Sequence, residues 1–129
     1  MRRFPPESLT RIGSALFEAA GCNTVDARTV AEHLVESSLF GHDSHGTLRL
    51  YEYIDQIRDG TFDPRGRPHV VRERGATSIL DGGGALGAVA GRLAVQRAVK
   101  LTQAHGVATV TLRNCCHLGR IGAYPLALA

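Results

Sequence analysis

Apolar residues recur every three or four positions over 6–20 (PESLTRIGSALFEAA), placing Leu9, Ile12, Leu16, Phe17 and Ala20 on one face. The spacing predicts an amphipathic helix, with Gly21 as its C-cap. The same period returns over 25–38 with Val30, Leu34 and Val35 inward and Thr24 as the N-cap. A third helix is predicted from Ser44 to Asp59, stopped by Gly60 and followed by TFDPRGRP, a loop rich in proline, glycine and charge. Beyond that loop the period shortens. HVVRER (69–74) and ATSILD (76–81) read as strands joined by a tight turn at Gly75. Then come GGGALG, a long helix over 86–104, Gly106 and a strand over 107–113 (VATVTLR). The loop NCCHLGR leads into a last apolar segment ending YPLALA. The layout is an all-helical N-terminal piece, assigned to 1–62, followed by the opening of an α/β domain over 63–129.

Composition narrows the class without naming a function. A chain of 129 residues, 43% apolar and 21% charged, is an ordinary globular domain able to bury a core. No apolar run approaches the roughly 20 residues that span a bilayer, and no apolar stretch follows Arg2 and Arg3 to make a secretory signal. A cytoplasmic protein with no membrane partner is expected. Cys22 stands alone, while Cys115 and Cys116 are adjacent, a poor geometry for a structural disulfide. Reduced thiols are therefore expected. The net charge of +3 is unevenly spread: every acidic residue lies at or before Asp81, whereas Arg92, Arg97, Lys100, Arg113 and Arg120 follow it. Such a field favours an anion, and a phosphate-bearing cofactor satisfies it as well as a nucleic acid does. Seven Phe and Tyr in all, with no recognition helix, argue against a nucleic-acid binder.

Gly82, Gly84 and Gly87 spell G-x-G-x-x-G between a predicted strand and a predicted helix. That context fits a dinucleotide fingerprint, in which glycines let a pyrophosphate approach a helix N-terminus. The acidic residue that would hold the ribose at the end of the next strand is missing. Arg113 stands there instead, where it could meet a 2′-phosphate; the alternative is a strand-to-helix turn in which glycine relieves crowding.

The densest chemistry is 41-GHDSHGTLRLYEYIDQI-57. His42, Asp43 and His45 lack the spacing that puts two imidazoles on one helical face, and no third ligand stands near, so no metal site is expected. Ser44 and His45 are neighbours, about 100° apart on a helix, which argues against a nucleophile–base pair. Asp43 or Ser44 can cap the third helix. What remains is the stripe His45, Arg49 and Tyr53, spaced i, i+4, i+8, with side chains leaning toward the helix start. A guanidinium grips a carboxylate, and an imidazole exchanges protons near neutral pH. Together they suit a 2-hydroxy or 2-oxo acid; a solvated helix face is the plain alternative.

The strings 43-DSHGTLRLYEY-53, 81-DGGGALG-87 and 114-NCCHLGRIGAY-124 resemble the malate/L-lactate dehydrogenase family, which also includes ureidoglycolate, sulfolactate and Δ1-piperideine-2-carboxylate enzymes. The resemblance runs along nearly the whole chain and implies a helical N-terminal subdomain followed by the start of a non-Rossmann α/β domain binding NAD or NADP. It implies Ser44, His45 and His117 as catalytic residues, Arg49 and Tyr53 as substrate-binding, and His117, Gly119 and Asn114 as cofactor-binding. A small carboxylate substrate, hydride transfer and a homodimer follow as expectations. Cys115 stands where the family commonly has serine, and Leu118 where it has an aromatic residue. Family members are well over twice as long, so an N-terminal fragment is expected; a catalytically inactive remnant or interaction module is the alternative.

Overall fold

The first unit is built on helix α1 (Pro6–Ala19) and helix α2 (Thr24–Leu39). Pro6 opens α1, where a missing N–H costs nothing. Only Gly13 and Phe17 of α1 are buried. A Cβ on Gly13 would stand 3.1 Å from the Cβ of Ala31, so the two helices cross closely along a narrow line. That line explains why Ile12 and Leu16, predicted to face inward, remain 48% and 45% exposed. Helix α2 is the central element, burying Ala27, Val30, Ala31, Leu34 and Val35. Complete burial of Phe17 and Leu34 stabilises the unit by about 1.5–3 kcal/mol each. Its N-cap is Asn23, one residue before the predicted Thr24, because the Asn23 side chain accepts from Asp26 N at 3.0 Å.

The predicted third helix is two elements. Asp43–His45 form a single 3₁₀ turn, and helix α3 runs only from Arg49 to Arg58. Gly46 separates them with φ −100° and ψ −149°, outside the helical region. A side chain there would collide with α2: a Cβ would lie 2.1 Å from Ser38 Oγ and 3.0 Å from Ser38 N. Ser38 Oγ also accepts from Thr47 N at 3.0 Å. The turn is thus pinned to α2 by contacts between residues nine apart.

The structure, a computed structural model, describes residues 4–129, and they divide into one unit ending at Arg65 and a second over Gly66–Ala129. In the second unit, strand β1 (His69–Arg74) pairs antiparallel with β2 (Thr77–Asp81) across the Gly75 turn. A register shift between Val70 and Arg72 leaves Val71 out of the ladder and 48% exposed. Helix α4 (Gly87–His105) crosses over to β3 (Thr109–Arg113), which lies parallel to β2, giving the order β1-β2-β3. Ser78 and Leu80 of β2 are buried, as are Ala88, Ala90 and Leu101 of α4. Helix α5 (Ala123–Leu128) packs on α4, where the Tyr124 ring covers Gly91. The architecture is α/β and departs from the all-parallel dinucleotide fold at its first strand. Among the described residues no helix is long and apolar enough to cross a membrane.

Candidate active site

In the first unit the site begins as a run of tight turns. His45 N donates to His42 O at 2.9 Å, Gly46 N to Asp43 O at 3.0 Å, and Arg49 N to Gly46 O at 2.9 Å. Chain direction therefore carries from the 3₁₀ turn into α3 without a continuous helix. His45, Arg49 and Tyr53 consequently do not form the expected helical stripe. Ser44 connects two of them. Its hydroxyl lies 2.9 Å from His45 Nδ1, and its carbonyl accepts from Arg49 Nε at 2.6 Å. The helical divergence expected of sequence neighbours does not apply to Ser44 and His45, because the tighter turn swings the hydroxyl onto the adjacent ring. That bond fixes the rotation of the imidazole. Arg49 Nη1 also donates to both carboxylate oxygens of Glu52, at 2.7 and 2.5 Å.

Tyr53 has left the surface. It is 3% exposed and meets Phe62 edge-on, with ring centroids 5.3 Å apart and an interplanar angle of 66°. Helix α3 has no side-chain cap, so Asp43 and Ser44 do not take the predicted capping role. The Ser44 hydroxyl is engaged with His45 instead. His42 Nδ1 bonds to Phe40 O at 3.0 Å. No group of three His, Cys, Asp or Glu among the described residues could hold a metal ion. An open cavity of about 680 Å³ lies between α1 and α2, lined by Arg11, Arg28 and Glu32 among others, but by none of Ser44, His45, Arg49 and Tyr53.

In the second unit the loop 114–119 lies across the glycine turn. Gly82 N donates to Arg113 O at 2.8 Å and Gly84 N to Asn114 O at 2.9 Å. Cys116 N donates to Ala85 O at 3.1 Å. A Cβ on Gly87 would stand 2.1 Å from His117 O. The chain itself occupies the place where a pyrophosphate would approach the first turn of α4. The glycines admit this loop, so the dinucleotide fingerprint does not apply. Asp81 organises the same corner, accepting from Gly83 N at 2.9 Å, Asn114 Nδ2 at 2.9 Å and Arg113 Nε at 3.1 Å. The Gly83 N–H and the Asn114 amide hold its carboxyl below the usual carboxylate range, with Arg113 adding to them. Arg113, the residue suggested for a 2′-phosphate, is therefore paired within the chain.

His117 is exposed on this loop, whereas Gly119 is buried. Asn114 and Gly119 both take left-handed backbone conformations, with φ 51° and 72°. Leu118 O accepts from Tyr124 Oη. All three cysteines are free, and burial raises the Cys22 and Cys115 thiols, which is the opposite of what a reactive thiolate needs.

Comparison with known proteins decides the family. The family model described as malate/L-lactate dehydrogenase matches residues 4–129. The chain belongs to the malate/L-lactate dehydrogenase family. Within the family, it is 36% identical over 120 residues to hydroxycarboxylate dehydrogenase B of Escherichia coli (strain K12), covering 93% of this chain and 33% of that protein. It is 40% identical over 98 residues to L-lactate dehydrogenase of Cupriavidus necator, covering 76% of this chain and 28% of that one. The solved malate dehydrogenase of Pyrococcus horikoshii OT3 superposes with a TM-score of 0.93 at 33% identity, over 97% of this chain and 36% of that structure. The chain thus spans about a third of the length of these relatives. For a nicotinamide dinucleotide, the family's cofactor class, the glycine turn offers no phosphate cradle, since His117 O fills it. On the loop 114–119 the His117 imidazole is exposed between two left-handed residues, and the Asn114 amide is held by Asp81.

Proposed function

We propose that the protein carrying this chain is an NAD(P)-dependent oxidoreductase that interconverts small 2-hydroxy acids and 2-oxo acids. Membership of the family supports this class, and the relatives named for malate, L-lactate and sulfolactate share a carboxylate beside a hydroxyl-bearing carbon. The observation that carries the residue roles is the double use of Ser44, which ties the His45 ring and the Arg49 guanidinium to one turn.

In this mechanism Arg49 holds the substrate carboxylate by charge-assisted hydrogen bonds. Tyr53, packed on Phe62, fixes the helix from which Arg49 projects. His45, oriented by Ser44, or His117 exchanges the proton of the substrate hydroxyl as general acid and base. Asn114 and Gly119 set the course of the loop that carries His117, and these three residues would hold the cofactor and supply an imidazole beside it. The nicotinamide supplies or accepts the hydride. The protein works in this scheme as a cytoplasmic homodimer on a small carboxylate, without nucleic-acid or membrane partners; sedimentation showing a monomer would remove the dimer.

The test is steady-state kinetics of the full-length protein with NADH or NADPH and either pyruvate or oxaloacetate. Arg49→Lys keeps the charge and loses the fork, and should lower kcat/KM by about 10- to 100-fold. An unchanged value would sink the clamp. Replacing the acid/base histidine with asparagine should lower kcat by about 10²- to 10⁴-fold. If neither His45→Asn nor His117→Asn does so, the proton-transfer scheme is wrong.

A further inference from the structure

Arg49 carries a resident carboxylate. Its Nη1 donates to Glu52 Oε1 at 2.7 Å and to Oε2 at 2.5 Å, while its Nε is bound to the Ser44 carbonyl at 2.6 Å. A planar guanidinium recognises a carboxylate best through two N–H groups on neighbouring nitrogens. With Nε and Nη1 both engaged, only Nη2 is left for an incoming anion, so a two-point grip requires Glu52 to give way. Nothing else in the geometry asks for Glu52 there. The pair is i, i+3 on the first turn of α3, with the Glu52 side chain 46% exposed and that of Arg49 29% exposed. An ion pair this open adds little to stability. The aim of Arg49 does not depend on it, because the Ser44 carbonyl holds Nε independently.

We infer that Glu52 is a built-in competitor for the substrate carboxylate. It occupies Arg49 in the free protein and is displaced on binding, and so sets how tightly a 2-oxo or 2-hydroxy acid is held. This rests on the assignment of Arg49 as the carboxylate clamp. In chemical terms one carboxylate replaces another on the same guanidinium, so charge is conserved at Arg49 and Glu52 is released to water. The exchange gives the protein a weaker, more readily reversed grip than an unopposed arginine would have. Glu52 touches neither the reacting carbon nor the transferred proton and acts only through Arg49; it is a positioning residue that tunes affinity.

The experiment compares Glu52→Gln, Glu52→Asp and Arg49→Lys in the full-length protein, with pyruvate and oxaloacetate as probes and the thermal midpoint of each variant as a folding check. Glutamine keeps the length and shape of Glu52 and removes its charge. It should lower KM by about two- to fivefold, the size expected for an exposed pair, with the change falling on KM rather than kcat. Aspartate restores the charge and should return KM toward the parental value. A purely structural Glu52 predicts the reverse: loss of the pair lowers the thermal midpoint and KM stays level or rises. If Arg49→Lys raises KM while Glu52→Gln leaves it level or raises it, the competitor role is overturned and the clamp stands. If Arg49→Lys leaves KM unchanged, the clamp itself is removed and the role of Glu52 goes with it.

Discussion

Cys22 shows how far one buried group is set by neighbours distant in sequence. It is 7% exposed, and burial first, then the carboxylates of Asp26 and Asp63, push its thiol up to about 11 from an ordinary value of 9.0. The folded chain therefore holds this proton more tightly than the unfolded one. The stability that comes from the difference is complete below the unfolded value and is lost as pH rises toward the folded one. The thermal midpoint should fall between pH 9.0 and about 11, and Cys22→Ala should flatten that fall. An unchanged slope in the variant would show that the thiol does not sense its burial. Residue types at the site were similarly legible in sequence, but their partners were not. Ser44, His45 and Arg49 stood out by chemistry, and the Glu52 partner could have been found from its i, i+3 spacing to Arg49. Ser38 could not, since its bond to Thr47 spans nine residues and a loop.

At the scale of elements, strong periodicity located most helices and strands, and their junctions escaped it. Strand β1 lies where alternation placed it, and α4 differs from expectation by one residue at each end. Strand β3 begins at Thr109 rather than Val107, because its ladder starts with the Thr77–Thr109 pair. The third predicted helix broke at Gly46 because α2 presses against it, a tertiary contact that overrides helical spacing. Gly87 is the corresponding point in the second unit. A methyl group there meets the backbone carbonyl of His117, which cannot rotate away as a side chain could. Gly87→Ala should cost about 1–3 kcal/mol by overpacking and displace the loop that carries His117. Calorimetry and kcat should fall together; a variant as stable as its parent would contradict the close approach.

At the scale of the molecule, the acid-free stretch over 82–129 does not act as one basic field. Arg113 is paired with Asp81, and Arg97 lies 3.8 Å from Glu73, so two of its five cations face carboxylates from β1 and β2. The sequence asymmetry is partly cancelled when the strands come together. The family and the order of helical and α/β elements were readable from the chain, because motif residues and hydrophobic period are local properties. Folding decided how the residues are used. It turned Tyr53 inward onto Phe62, set Ser44 between His45 and Arg49, and filled the glycine turn with the loop 114–119. Each of these depends on a backbone turn or a close approach that exists only once separate elements pack, and no spacing along the sequence records it.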